Sequence, residues 1–138
     1  MTAQAGYSGT PLVKKLGIKA SFRVKTKNAL ANYRELLAPL PEEVLISPRL
    51  RAPVDMWHVF SKSERELERQ IPKCLEEIDP NGMIWVSWPK KSSGVPSDVT
   101  EDVVRKVALP LGLVDVKVCA VDEVWSGLKL VIRKENRS

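Results

Sequence analysis

A chain of 138 residues with 43% apolar and 28% charged side chains has room for one domain with its own core, and not for two. No apolar run approaches the roughly 18 to 20 residues of a membrane span, and the opening MTAQAGYSGT lacks the basic-then-apolar layout of a signal peptide, so a cytoplasmic protein without membrane association is expected. The formal charge of +5 lies wholly in the first 60 residues, nine Lys and Arg against four Asp and Glu, with six bases and no acid between Lys14 and Lys27; such a stretch attracts anions, whether nucleic acid, acidic lipid or metabolite, or stands as a solvated face.

The elements follow in chain order. In SGTPLVKKLGI, Thr10 is placed to cap a short helix, Pro11 suits its first position and Gly17 its left-handed stop. SFRVKTK alternates with period 2, Phe22, Val24 and Thr26 against Arg23, Lys25 and Lys27, and predicts a half-buried strand. NYRELLAPL is a short helix closed by prolines, EEVLIS a short strand, PRLRAP a loop and VDMWHVF the next strand. Ser63 with Glu66 has the pattern of a capping box, and Leu67, Ile71, Cys74, Leu75 and Ile78 recur behind it at helical spacing, with Pro72 expected to kink or split the helix. DPNG predicts a turn, MIWVSW a buried strand, and DVTE a helix capped by Asp98 with Val103, Val104, Val107, Ala108 and Leu111 facing the core. VDVKVCAV and LKLVIRK, around DEVWSG, close the chain as two adjacent strands without a helix between them.

Strands alternating with helices imply right-handed crossovers and a mostly parallel sheet, and the last pair implies an antiparallel edge. The expected fold is a single α/β domain over residues 1–138 of Rossmann type. The run DPNGMIWVSWP, followed by a helix and a closing hairpin, resembles the second half of a class I methyltransferase fold over roughly residues 54 to 134, shortened by an element near residues 48 to 53. AGYSGTPLVKKLGI, GMIWVSWPKKSSGVPSD and VDEVWSGLKLVIRK resemble a bacterial domain-of-unknown-function family across essentially the whole chain. That resemblance implies a methyltransferase-like core and brings no activity with it. FRVKTKNAL departs from the apolar first strand that the family pattern would place there, which leaves the burial of this strand open.

Ligands of an open parallel sheet gather beyond the carboxyl ends of its strands, at the switch point. An adenosyl or dinucleotide cofactor asks for glycines in the first strand-to-helix turn and for an acid after the second strand. The turn here is TKNALANY, with Asn28, Ala29, Ala31 and Asn32 but no glycine, and the second strand runs into SPRLR, with Ser47, Arg49 and Arg51. S-adenosylmethionine is therefore not expected to bind in the usual way, and no cofactor is predicted. A methyltransferase with an atypical cofactor turn is the enzyme alternative.

The binding candidates come from WPKKSSG. Lys90 and Lys91 can neutralise an anion, Ser92 and Ser93 can donate to it, and Gly94 lets amides converge ahead of a helix N-terminus. A Walker loop differs in placing a single Lys between Gly and Ser or Thr, and a well-made polar turn explains the composition equally. Trp88 and Trp125 adjoin this loop and DEVWSG, either as walls of one pocket with Asp122 and Glu123 nearby or as covers for the end of the sheet. His58, the only histidine, lies in an apolar strand and reads as structural rather than as a general base. Asp55 at the start of that strand reads as a turn residue, and Cys74 and Cys119 as reduced core thiols. No metal-ligand spacing and no nucleophile-base arrangement is readable. The expected partner is a small anion or another protein, with nucleic acid on the Lys14 to Lys27 stretch as a further alternative that predicts steep salt dependence.

Overall fold

The computed structural model describes residues 9–137, so the first part of the AGYSGT motif lies outside the described residues. Their elements are α1 (Leu12–Leu16), β1 (Arg23–Lys27), α2 (Tyr33–Leu37), β2 (Leu45–Ser47), β3 (Val54–Phe60), α3 (Glu64–Glu77), β4 (Ile78–Pro89), α4 (Glu101–Ala108), β5 (Leu113–Ala120) and β6 (Trp125–Ile132), in the order expected. The sheet order is β2-β1-β3-β4-β6-β5. Strands β1 to β4 are mutually parallel, while β6 is antiparallel to both β4 and β5. The antiparallel strand is thus interior rather than an edge. Its Leu128 and Leu130 are fully buried, whereas β5 exposes Val116 and Val118 and takes the rim.

Alternation within each strand builds two cores. On one face α1 and α2 pack Leu16, Tyr33 and Leu37 over Val24, Met56, Phe60 and Trp85. On the other, α3 and α4 pack Leu67, Ile71, Cys74 and Val104 over Trp57, Val59, Ile84, Val86, Leu128 and Leu130. Cys74 and Cys119 are both free thiols, the first buried and the second partly so, and burial pushes the Cys74 thiol up to about 12.

Interior position settles the burial of β1. Val24 and Thr26 are buried, and Arg23, Lys25 and Lys27 are half-buried on the face toward α3. Lysine is tolerated there because β2 passes to β3 through residues 48–53 with no helix between, so that this part of the face has no helical cover of its own. Lys25 meets Glu77 of α3 at 2.8 Å and lies 5.1 Å from the ring centre of Trp57.

Four local expectations change in three dimensions. Pro11, not Thr10, occupies the cap position of α1, with no side-chain bond, while Gly17 closes that helix in the left-handed region at φ 83°. Helix α3 runs unbroken through Pro72, because full burial of Leu67, Ile71 and Cys74 outweighs the one amide donor that proline removes. DPNG is a bulge within β4: Val54 pairs with Ile78 and Met56 with Met83, so the residues between leave the ladder. Thr100 caps α4 by accepting from the Val103 amide, and Asp98 instead accepts from the Glu64 amide at the start of α3, 2.7 Å away.

Candidate functional site

The carboxyl ends of β1 and β3 diverge in connection, β1 leading outward to β2 and β3 inward to β4, which makes the gap between them the switch point. A cavity of about 540 Å³ lies there, lined by Asn28, Phe60, Lys62, Ser63, Glu66, Arg69 and Trp125. Asn28 follows β1 with φ 58°, a left-handed conformation that its short amide tolerates. Its Nδ2 donates to the Phe60 carbonyl at 3.2 Å and to Glu66 Oε2 at 3.3 Å, spanning the gap from β1 to both β3 and α3. The Ser61 hydroxyl donates to Glu66 Oε1 at 2.6 Å and accepts from the Ser63 amide at 3.1 Å. Glu66 therefore completes only half of the capping box: its own amide bonds Ser63 Oγ, but its carboxylate turns to Ser61 and Asn28.

Phe60 forms the buried floor, edge-on to Trp125 at 5.4 Å and stacked on His58 at 4.3 Å. Lys62 and Arg69 stand exposed at the mouth. A second cavity of about 450 Å³ shares Asn28 and continues along α3, lined by Lys25, Thr26, Lys27, Pro48, Arg49, Trp57, Gln70, Lys73 and Glu77. Both carboxylates on this flank are matched internally, Glu66 as described and Glu77 by Lys25 and by the Trp57 indole N–H at 3.1 Å.

The loop after β4 is a tight turn bonded to itself. The amides of Ser93 and Gly94 donate to the carbonyls of Lys90 and Lys91, the Ser93 hydroxyl donates to the Lys90 carbonyl at 2.6 Å, and the Val95 amide donates back to that hydroxyl. Gly94 supplies the left-handed φ of 78° that the turn needs. The amides of Lys90, Ser93, Gly94 and Val95 are thus engaged, and α4 begins only at Glu101, with Glu101 and Asp102 in its first turn. Lys91 and Ser92 are exposed and Lys90 partly so.

Trp88 and Trp125 do not share a pocket. They lie on neighbouring strands with opposite orientation: Trp88 packs in the α3/α4 core and Trp125 against the α1/α2 core. Trp88 lines a separate cavity of about 530 Å³ with Pro89, Lys91, Gly94, Val95, Pro96, Ser97, Val99 and Thr100. Asp122 is held in the β5–β6 turn, where its Oδ1 accepts from the amides of Val124 and Trp125.

His58 is fully buried, its Nδ1 2.7 Å from the Tyr33 hydroxyl and its Nε2 2.8 Å from Ser87 Oγ. Burial lowers its pKa to about 3 and raises that of Tyr33. The ring links three elements and faces no cavity mouth. Asp55 accepts from the Arg23 amide at 2.8 Å at the amino end of the strands, opposite the ligand side. Among the described residues no three His, Cys, Asp or Glu side chains gather as a metal-ligand set, and no helix is long and apolar enough to cross a membrane.

The basic run is divided between the two faces of the sheet. Lys14, Lys15 and Lys19 belong to α1 and its exit, and Arg23, Lys25 and Lys27 point to the α3 side. Lys19 and Lys117 lie near Lys129, whose ammonium is held below the usual lysine range by burial first and by these like charges second. Of the cavity residues, Phe60, Lys62, Glu66 and Arg69 escape sequence reasoning about ligands. Their only signal is the capping pattern at Ser63, which says nothing of a crevice.

The residues present do not fit an adenosyl cofactor. The gap it would occupy is crossed by the Asn28 side chain, the turn offers no glycine for close approach, and β2 ends at Ser47 and is followed by Pro48 and Arg49 rather than an acid.

No protein-family model matches the chain, and no curated protein matches it in sequence. Solved structures do match in fold. The chain is similar to a SAM-dependent methyltransferase from Aquifex aeolicus at TM-score 0.64 and 12% identity, covering 88% of each chain. It is similar to magnesium protoporphyrin IX methyltransferase from Synechocystis PCC 6803 with bound SAM at TM-score 0.61 and 11% identity, covering 88% of this chain and 76% of that one. A SAM-dependent O-methyltransferase from Thermotoga maritima matches at TM-score 0.59 and 11% identity, over 89% and 64%. At such identities the likeness is one of fold, and the fold is that of a methyltransferase-like Rossmann domain, small and shortened after β2.

Proposed function

We propose that this protein is a methyltransferase-fold domain that works by binding an anionic ligand at the switch point, without S-adenosylmethionine. The observation that carries this reading is the Asn28 bridge from β1 to Phe60 and Glu66, which puts protein hydrogen bonds where the fold's usual cofactor would lie. What remains of the crevice is walled by Phe60 and Trp125, with Lys62 and Arg69 exposed at its mouth and the one carboxylate, Glu66, turned to Ser61 and Asn28. Lys90, Lys91 and Ser92, on the same carboxyl edge of the sheet, are outer contacts in this reading.

The test is calorimetric titration at moderate salt with S-adenosylhomocysteine and with inorganic pyrophosphate. The expected outcome is no saturable heat from the first and saturable heat from the second, reduced in Lys62→Ala/Arg69→Ala. Micromolar binding of S-adenosylhomocysteine would reverse the conclusion and make methyl transfer the leading activity.

A further inference from the structure

Resting on that anion-binding reading, we infer that the ligand is a single strand of nucleic acid, lying along the two neighbouring cavities on one flank of α3. The cavities share Asn28 and are lined by α3 residues from Ser63 to Glu77, about 20 Å of helix at 1.5 Å per residue.

Five cations from four elements border this length: Lys62 before α3, Arg69 and Lys73 on α3, Lys27 at the end of β1 and Arg49 after β2. None of the five side chains makes an ion pair or hydrogen bond among the described residues. The two acids of the groove, by contrast, are already matched, Glu66 by Ser61 and Asn28 and Glu77 by Lys25 and Trp57. Positive charge without internal compensation is thus spaced along a line rather than gathered at a point. A small anion needs two or three converging donors, whereas a chain of phosphates needs cations repeated along its path.

Concavity selects a single strand, since cavities of about 540 and 450 Å³ between a helix and a sheet admit nucleotides one at a time and not a duplex. At one end the half-buried Trp125, braced edge-on by Phe60, offers a ring on which a base can stack. An acidic peptide would want apolar anchor pockets between its charges, and in the second cavity only Pro48 and the buried Trp57 are apolar, the cations being interleaved with Thr26, Asn28 and Gln70. The missing helix after β2 gives the physical origin of the groove, because it leaves the α3 side of β1 open at Lys27.

Fluorescence anisotropy of a labelled twelve-residue oligothymidylate tests this across a salt series. Five phosphate contacts predict a slope of log K against log salt of about −3.5 for a single strand. Lys27→Ala/Arg49→Ala/Lys73→Ala removes three contacts, and its expected result is at least tenfold weaker binding with a slope shallower by about 2. Its melting temperature should stay that of the parent, because these side chains hold no structural bond. Lys14→Ala/Lys19→Ala/Lys129→Ala removes equal charge outside the groove and should leave the slope within about 1 of the parent. Absence of binding at 50 mM salt, equal loss in the two triple variants, or displacement of the oligonucleotide by an equally charged glutamate peptide would overturn the inference. Inorganic pyrophosphate separates the two levels. If it binds and the oligonucleotide does not, the strand is wrong and the anion site stands; if neither binds, both fall.

Discussion

Tyr33 and His58 meet through a hydrogen bond of 2.7 Å between the phenol and Nδ1, both side chains being buried, and the other ring nitrogen reaches Ser87 at 2.8 Å. One ring nitrogen donates and the other accepts, so neutral imidazole satisfies both neighbours. A second proton on the ring would bring a charge into a fully buried site with no carboxylate against it.

Stability should therefore fall in acid through His58. Burial lowers the folded pKa to about 3 from the ordinary 6.5, so below pH 6.5 the unfolded chain binds a proton that the native chain refuses. The stabilisation is complete above 6.5 and is lost as pH falls toward 3. Urea unfolding followed by tryptophan fluorescence should show stability lower by about 2 kcal/mol at pH 5 than at pH 7 from this group. His58→Phe, starting from a lower stability, should lack that slope.

Removing either partner should cost more than an average hydrogen bond. Tyr33→Phe and Ser87→Ala each leave a buried ring nitrogen without its partner, with an expected loss of about 1–3 kcal/mol. A loss below half a kcal/mol in both, by the same denaturation assay, would mean that water enters the site.

At the bulge of β4, Gly82→Ala should be among the costlier glycine substitutions. A Cβ there would sit 2.8 Å from the Asp55 carbonyl oxygen and 3.0 Å from that of Asp79, both backbone atoms that move only with the strands. The expected cost is about 1–3 kcal/mol, read as a lower melting temperature.

The bridge at the switch point makes a distinctive pair of variants. Asn28→Gly loses the two side-chain bonds but keeps an easy left-handed backbone, whereas Asn28→Ala loses the bonds and also strains the φ of 58°. The alanine variant should be less stable than the glycine variant by about 1 kcal/mol.

Asp98 and Thr100 should act on different helices. Asp98→Ala should speed hydrogen exchange at the Glu64 amide of α3, and Thr100→Ala at the Val103 amide of α4. Each should lower stability by about 1 kcal/mol. Loss of protection at Val103 in Asp98→Ala would restore the cap assignment that the DVTE pattern suggests.

Much of this architecture was legible along the chain because it depends on local chemistry. Period-2 alternation in SFRVKTK, the apolar run MIWVSW, Ser63 three residues before Glu66 and Gly17 after LVKKL all announce elements through interactions a few residues long. Alternating strands and helices then limit the sheet to a mostly parallel form, and the absence of glycine after β1 and of an acid after β2 was equally plain. Other outcomes depended on what the chain meets from far away. DPNG is turn-like by composition, yet pairing with β3 pulls it into a bulge; Asp98 precedes α4, yet the amide it reaches belongs to α3, 34 residues earlier. Trp88 and Trp125 flank loops that the hairpin brings together, but strand alternation sends the two rings to opposite cores. The groove itself, from Lys62 and Arg69 to Lys27, Arg49 and Lys73, has no linear signature. It exists because β1 and β3 lie side by side under one flank of α3, and only packing decides which scattered cations share a surface.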